Sequence, residues 1–284
     1  MKKNLIISCI GLIVFVLAIS SVCSICSSCT TSTPPSPDTI KSLNISVYLD
    51  LSDRLTRDLE PNQKYRDIAI VDYLVDYFKN QTRGTKILQS ENKMKVFFYP
   101  TPKNSEISTI AEKLNVDIGE KKGVERTKAL EEMQEDFQTN LAHIYEETLN
   151  EGNWIGCDIW GFFQQKKVDN LCVRPNARNI VVILTDGYIY DENNKIKDGN
   201  AYSYILPQTL EADGILIDNR KGELKGNGIE VLMLEVNSYK QEHRDKMIKV
   251  LEDWFASMGV EKFVVAETDA NLTNTKTIIK NFLE

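Results

Sequence analysis

The sequence predicts an α/β domain: a doubly wound, mostly parallel sheet flanked by helices on both faces. From about residue 41 onward, short apolar runs alternate with stretches of helical periodicity, the pattern of strands separated by crossover helices. One run, "IVVIL" at 180–184, is unbroken and β-branched, as expected of a parallel strand covered on both sides. No internal repeat is visible, and no composition break after residue 43 marks a second domain.

Taken in order, the chain opens with Lys2 and Lys3 before "LIISCIGLIVFVLAISSV" at 5–22, which reads as an export segment occupying 1–29. Cys23, Cys26 and Cys29 stand at its end, and "CSSCTTSTPPSP" resembles the processing region of a bacterial lipoprotein, where a cysteine after small residues is acylated. Cys29 is the lipidation site this resemblance indicates, with Cys23 second; Cys26 stands where a leucine is usual. An uncleaved membrane-spanning anchor and an ordinary cleaved signal are the alternatives. All three place the remainder outside the cytoplasm, in the cell envelope. Residues 30–42 are rich in Pro, Ser and Thr and poor in apolar residues, so they read as a tether before a domain at 43–284.

Within that domain, strands are expected at 45–49, 94–99, 180–184, 229–236 and 263–266. A helix at 65–79 carries Ile68, Val71, Val75 and Phe78 on one side. Leu130, Met133, Phe137, Leu141, Ile144 and Thr148 step by three or four through a long second helix. A third, at 241–258, shows Met247, Leu251, Trp254 and Met258 on one stripe and stops at Gly259, a C-terminal cap. Residues 191–228 are polar and glycine-containing and read as a surface insertion.

Composition narrows the function classes. The 284 residues are 42% hydrophobic and 26% charged, enough for a sizeable core. A net charge of −7, with acids and bases interleaved, argues against nucleic acid as a partner. Beyond the tether only Cys157 and Cys172 remain, able to pair in an oxidising compartment or to stay as buried thiols. The sequence has no Gly-x-Ser-x-Gly elbow, P-loop or Gly-x-Gly-x-x-Gly after the first strand. His143 and His243 read as exposed helix residues. Trp154, Trp160, Phe162 and Phe163 read as core more readily than as a binding face, whereas Tyr188 and Tyr190 suit a ligand rim.

Two polar stretches end strands: "LDLSDR" at 49–54 and "LTDGY" at 184–188. In an open parallel sheet, ligands bind at the carboxyl ends of the strands where neighbouring connections diverge. Carboxylates and hydroxyls gathered there are hard oxygen donors, suited to Mg2+, with Ca2+ or Mn2+ as alternatives. "YLDLSDR" followed by "VVILTDGY" resembles a von Willebrand factor A (vWA) domain with its metal-ion-dependent adhesion site. The resemblance implies a metal held by Asp50, Ser52 and Asp186, with Cys157 or Asp158 at the family's middle-threonine position, Asp158 supplying an oxygen, and Asp53 and Thr185 modifying the site. It departs at Arg54, where the family has serine: a guanidinium there replaces the cation or points away from it. The implied function is binding of a protein or envelope ligand through an acidic side chain completing the metal shell, with no chemical step. The rivals are a metal-free scaffold locked by Arg54, and a metal-dependent hydrolase of Rossmann-like fold with Asp53 as the spare carboxylate.

Overall fold

The computed structural model describes residues 41–152 and 156–284. The export segment, most of the tether, Cys29 and Trp154 lie outside the described residues.

Six strands build the main sheet: β1 (Ser42–Leu49), β2 (Lys93–Phe97), β3 (Asn115–Asp117), β4 (Ala177–Leu184), β8 (Ile229–Val236) and β9 (Lys262–Glu267). Their order is β3-β2-β1-β4-β8-β9, and all neighbours are parallel except the β2–β3 edge pair. The fold is therefore α/β with a mostly parallel sheet, as the alternating pattern predicts. The order reverses between β1 and β4, so chain connections leave in opposite directions there and open a crevice above the strand ends. Register aligns Leu49 with Leu184, which puts the two polar stretches side by side.

Strand periodicity splits the core in two. One layer joins Ile45, Val47 and Leu49 of β1 to Ile180, Val182 and Leu184 of β4, covered by α1 (Gln63–Thr82), α3 (Val124–Glu151) and the C-terminal α8 (Thr273–Leu283). The opposite layer joins Tyr48, Val181, Ile183, Val231 and Met233 to α4 (Ile159–Gln164) and α7 (Gln241–Met258). The long-helix stripe from Leu130 to Thr148 is buried throughout, and α7 ends at Gly259 with φ +86°. In α1, Ile70 and Leu74 take the centre of the buried side and Ile68 is only partly buried. The short helices α2 (Ser105–Lys113) and α5 (Lys167–Cys172) pack beside β3 and β1.

Two expectations are corrected. The second strand stops at Phe97, and His243 is buried, 2% exposed, facing Glu211 at 3.6 Å from the short α6 (Pro207–Glu211). The 191–228 stretch carries its own small sheet, β5 (Lys197–Asp198), β6 (Ala201–Tyr202) and β7 (Ile215–Leu216). It is held down where Trp160 and Trp254 both donate their indole N–H to the Ile217 carbonyl, at 2.8 and 3.1 Å. Trp160, Phe162 and Phe163 are thus core. Cys157 and Cys172 are free and buried.

Candidate functional site

The crevice floor is built from backbone continuity of the sheet. The Asp50 N–H donates to Leu184 O at 3.1 Å and the Thr185 N–H to Leu234 O at 3.1 Å, so both residues leave their strands in ladder geometry. That alignment lets Thr185 Oγ1 donate to Asp50 Oδ2 at 2.8 Å, while the Ser52 N–H donates to Asp50 Oδ1 at 2.9 Å. Gly187 then turns the chain at φ +93°, and a Cβ there would stand 2.4 Å from Met247 Sδ, so only glycine fits. The turn brings the Tyr188 N–H to Asp186 Oδ1 at 3.0 Å.

Arg54 leaves the crevice and goes beneath it. Its side chain is fully buried, with Nη2 on Asp67 Oδ2 at 2.6 Å, Nε on the Asp50 carbonyl at 2.8 Å, and Nε 3.7 Å from the Asp50 carboxylate. Tyr145 of α3 donates to the same Oδ2 at 2.6 Å, and Gln63 of α1 donates to Asp67 Oδ1 at 2.8 Å. Next to them Arg66 grips Glu235 through two bonds of 2.5 and 3.1 Å, at a β8 irregularity where Glu235 adopts φ +69°. Burial works against the Arg54 charge, but Asp67 and Asp50 outweigh it and hold the guanidinium more firmly protonated than usual.

The cation that meets Asp186 is Arg57, which sequence reasoning missed. Its Nη2 lies 2.6 Å from Asp186 Oδ2 and Nη1 donates to the Asn237 carbonyl. The guanidinium also sits 4.1 Å from the Tyr239 ring, which stacks on Tyr188 at 5.1 Å. The available signal was spacing: Arg57 follows Arg54 by three residues, one turn of the 3-10 helix at Asp53–Thr56. Asp186 is pushed up to about 7, first by burial and then by Asp50, against the pull of Arg57 and the Tyr188 N–H. The formal charges agree, since Asp50, Asp67, Asp186 and Glu235 exceed Arg54, Arg57 and Arg66 by one.

Asp158 is not brought into this group. It caps α4, accepting from the Gly161 N–H at 2.7 Å and from Asn194 Nδ2 at 3.0 Å on both oxygens, and burial raises its carboxyl above the ordinary value. Among the described residues no set of three His, Cys, Asp or Glu side chains is arranged to hold a metal ion. Asp50, Ser52, Thr185 and Asp186 remain as oxygen donors. Both oxygens of each carboxylate already accept hydrogen bonds, and Arg57 occupies the approach to Asp186. This set fits a divalent ion poorly. Cys157 lies 3.7 Å from the Tyr48 hydroxyl, and burial keeps its thiol protonated, which makes it a poor nucleophile.

Two cavities open above this floor. The smaller, about 180 Å3, is lined by Asp186, Tyr188, Tyr190, Tyr239 and Asp53 among others. The larger, about 530 Å3, shares Ser52, Asp53, Gly156 and Tyr190 with it and extends past Lys103, Asp191 and Glu192.

No protein-family model matches the chain, and no curated protein matches it. Among solved structures, the chain is similar to the conserved hypothetical protein BatB from Bacteroides thetaiotaomicron, at 12% identity and a TM-score of 0.42, covering 85% of this chain and 97% of that one. It is also similar to the pilus adhesin SpaC from Lactobacillus rhamnosus GG in its open conformation, at 14% identity and a TM-score of 0.41, covering 86% of this chain and 31% of the adhesin.

Proposed function

We propose that the chain is an extracytoplasmic, vWA-like binding module that engages a protein or envelope ligand over the β1–β4 strand ends without a divalent cation. The observation that carries this reading is the Arg57–Asp186 pair at 2.6 Å, a guanidinium seated on the carboxylate that would otherwise face a metal. Arg54 supplies a second cation below Asp50, so the role assigned to one arginine is divided between two. A binding rather than a hydrolytic role is supported by the engagement of Asp50 and Asp186 in structural hydrogen bonds and by the protonated Cys157 thiol.

Thermal melting tests cation independence. A site saturated a hundredfold above its Kd adds about 2.7 kcal/mol to stability, a shift of several degrees in a domain of this size. The expected result is the same midpoint in EDTA and in millimolar Mg2+, Ca2+ or Mn2+. A rise on adding one of these ions, reversed by EDTA, would restore the metal-dependent reading.

A further inference from the structure

The groove has a charge and a surface that specify its occupant further. Asp53, Asp191 and Glu192 line it, and among the described residues none of the three forms an ion pair. Against these three acids stand two cations, Lys103 in the lining of the larger cavity and Lys195 over Tyr190, so acids exceed bases by one. The smaller cavity adds Tyr188 and Tyr239 to the shared Tyr190, and these rings present electron-rich faces next to the carboxylates. The protein's own cations show what these faces accept: Arg57 lies 4.1 Å over Tyr239 and Lys195 Nζ 4.8 Å over Tyr190.

We propose that this trough binds an extended segment of a protein partner through a lysine or arginine side chain that enters the tyrosine-lined cavity, with its charge answered by Asp53 and the acids beyond. The inference rests on the binding-module reading and reverses the polarity of the ligand expected for a metal site. At about 180 Å3 the smaller cavity holds roughly six waters' worth of space, enough for one long side chain. The larger cavity adjoins it, sharing Ser52 and Asp53 as lining residues, and is the side on which the flanking backbone would lie.

The test is fluorescence anisotropy of the full chain with labelled, capped pentapeptides Ala-Ala-Xaa-Ala-Ala, where Xaa is Lys, Arg, Glu or norleucine, in EDTA and in Mg2+. The Lys and Arg peptides should bind and the Glu and norleucine peptides should not, with affinity falling as salt rises. Asp53→Asn, Glu192→Gln and Tyr239→Ala alter exposed residues, and each should weaken binding roughly two- to fivefold, with an unchanged circular dichroism spectrum. The proposal is overturned by equal binding of the Glu peptide, by unchanged affinity in all three variants, by full displacement with an equal concentration of n-butylamine, or by no binding at millimolar peptide. Glu-peptide binding that requires Mg2+ would instead overturn the cation-independent function, so the two failures are distinguishable.

Discussion

Asp186 combines three demands that pull in different directions. It must accept the Tyr188 N–H to shape the turn and Arg57 to close the crevice, yet it is buried beside Asp50. With its carboxyl raised to about 7 in the fold and near 3.9 in an unfolded chain, the folded state binds the proton more tightly. The resulting stability is fully present below about pH 4 and is lost as pH rises through about 7, at up to roughly 1.4 kcal/mol per pH unit. Urea denaturation should therefore show the wild type less stable at pH 8 than at pH 5. Asp186→Asn keeps an acceptor for Arg57 but cannot titrate, so its stability should change less over that interval. Identical slopes for the two proteins would show that Asp186 is not the titrating group.

At the scale of elements, Arg54 ties the loop after β1 to α1 through Asp67, and Tyr145 brings α3 to the same carboxylate. Removing the guanidinium leaves Asp67 buried with a charge that no longer has its partner, a loss of about 3–5 kcal/mol for a broken buried pair. Arg54→Ser, which puts a hydroxyl beside Asp50 and Ser52, should accordingly lower the denaturation midpoint strongly and create no Mg2+ response. A stable Arg54→Ser protein that gains cation-dependent stabilisation would mean Arg54 merely displaces a metal. The elements themselves were largely readable. An unbroken apolar run marks β4, an apolar run bounded by Glu230 and Glu235 marks β8, and three- and four-residue stripes mark α3 and α7, because burial there follows a local pattern. β3 escaped notice because its three residues, Asn-Val-Asp, carry no pattern and pair only at the sheet edge. The strand-end pairing of Asp50 with the Thr-Asp-Gly turn was legible for the same reason as the strands. Arg57, Asp158 and His243 were not: their partners come from residues 129, 36 and 32 positions away, set by loop paths and by the packing of the insertion.

For the whole molecule, the direction of β1 matters. The described chain enters the sheet at Ser42, and the groove lies past Leu49, at the opposite end of the same strand. A lipid attached before residue 42 would therefore hold the domain by the end remote from its groove. The apolar run at 5–22 has eighteen residues, near the lower end of the length that can span a bilayer. A run of that length suits an export signal at least as well as a permanent span, and acyl chains would then supply the anchoring, at about 0.8 kcal/mol per buried methylene. Metabolic labelling with a fatty acid, followed by membrane fractionation, separates these cases. The wild type and Cys23→Ser should incorporate label, and Cys29→Ser should not. Label retained by Cys29→Ser but lost in Cys23→Ser would move the site to Cys23, while no label in the membrane-bound wild type would make the apolar run itself the anchor.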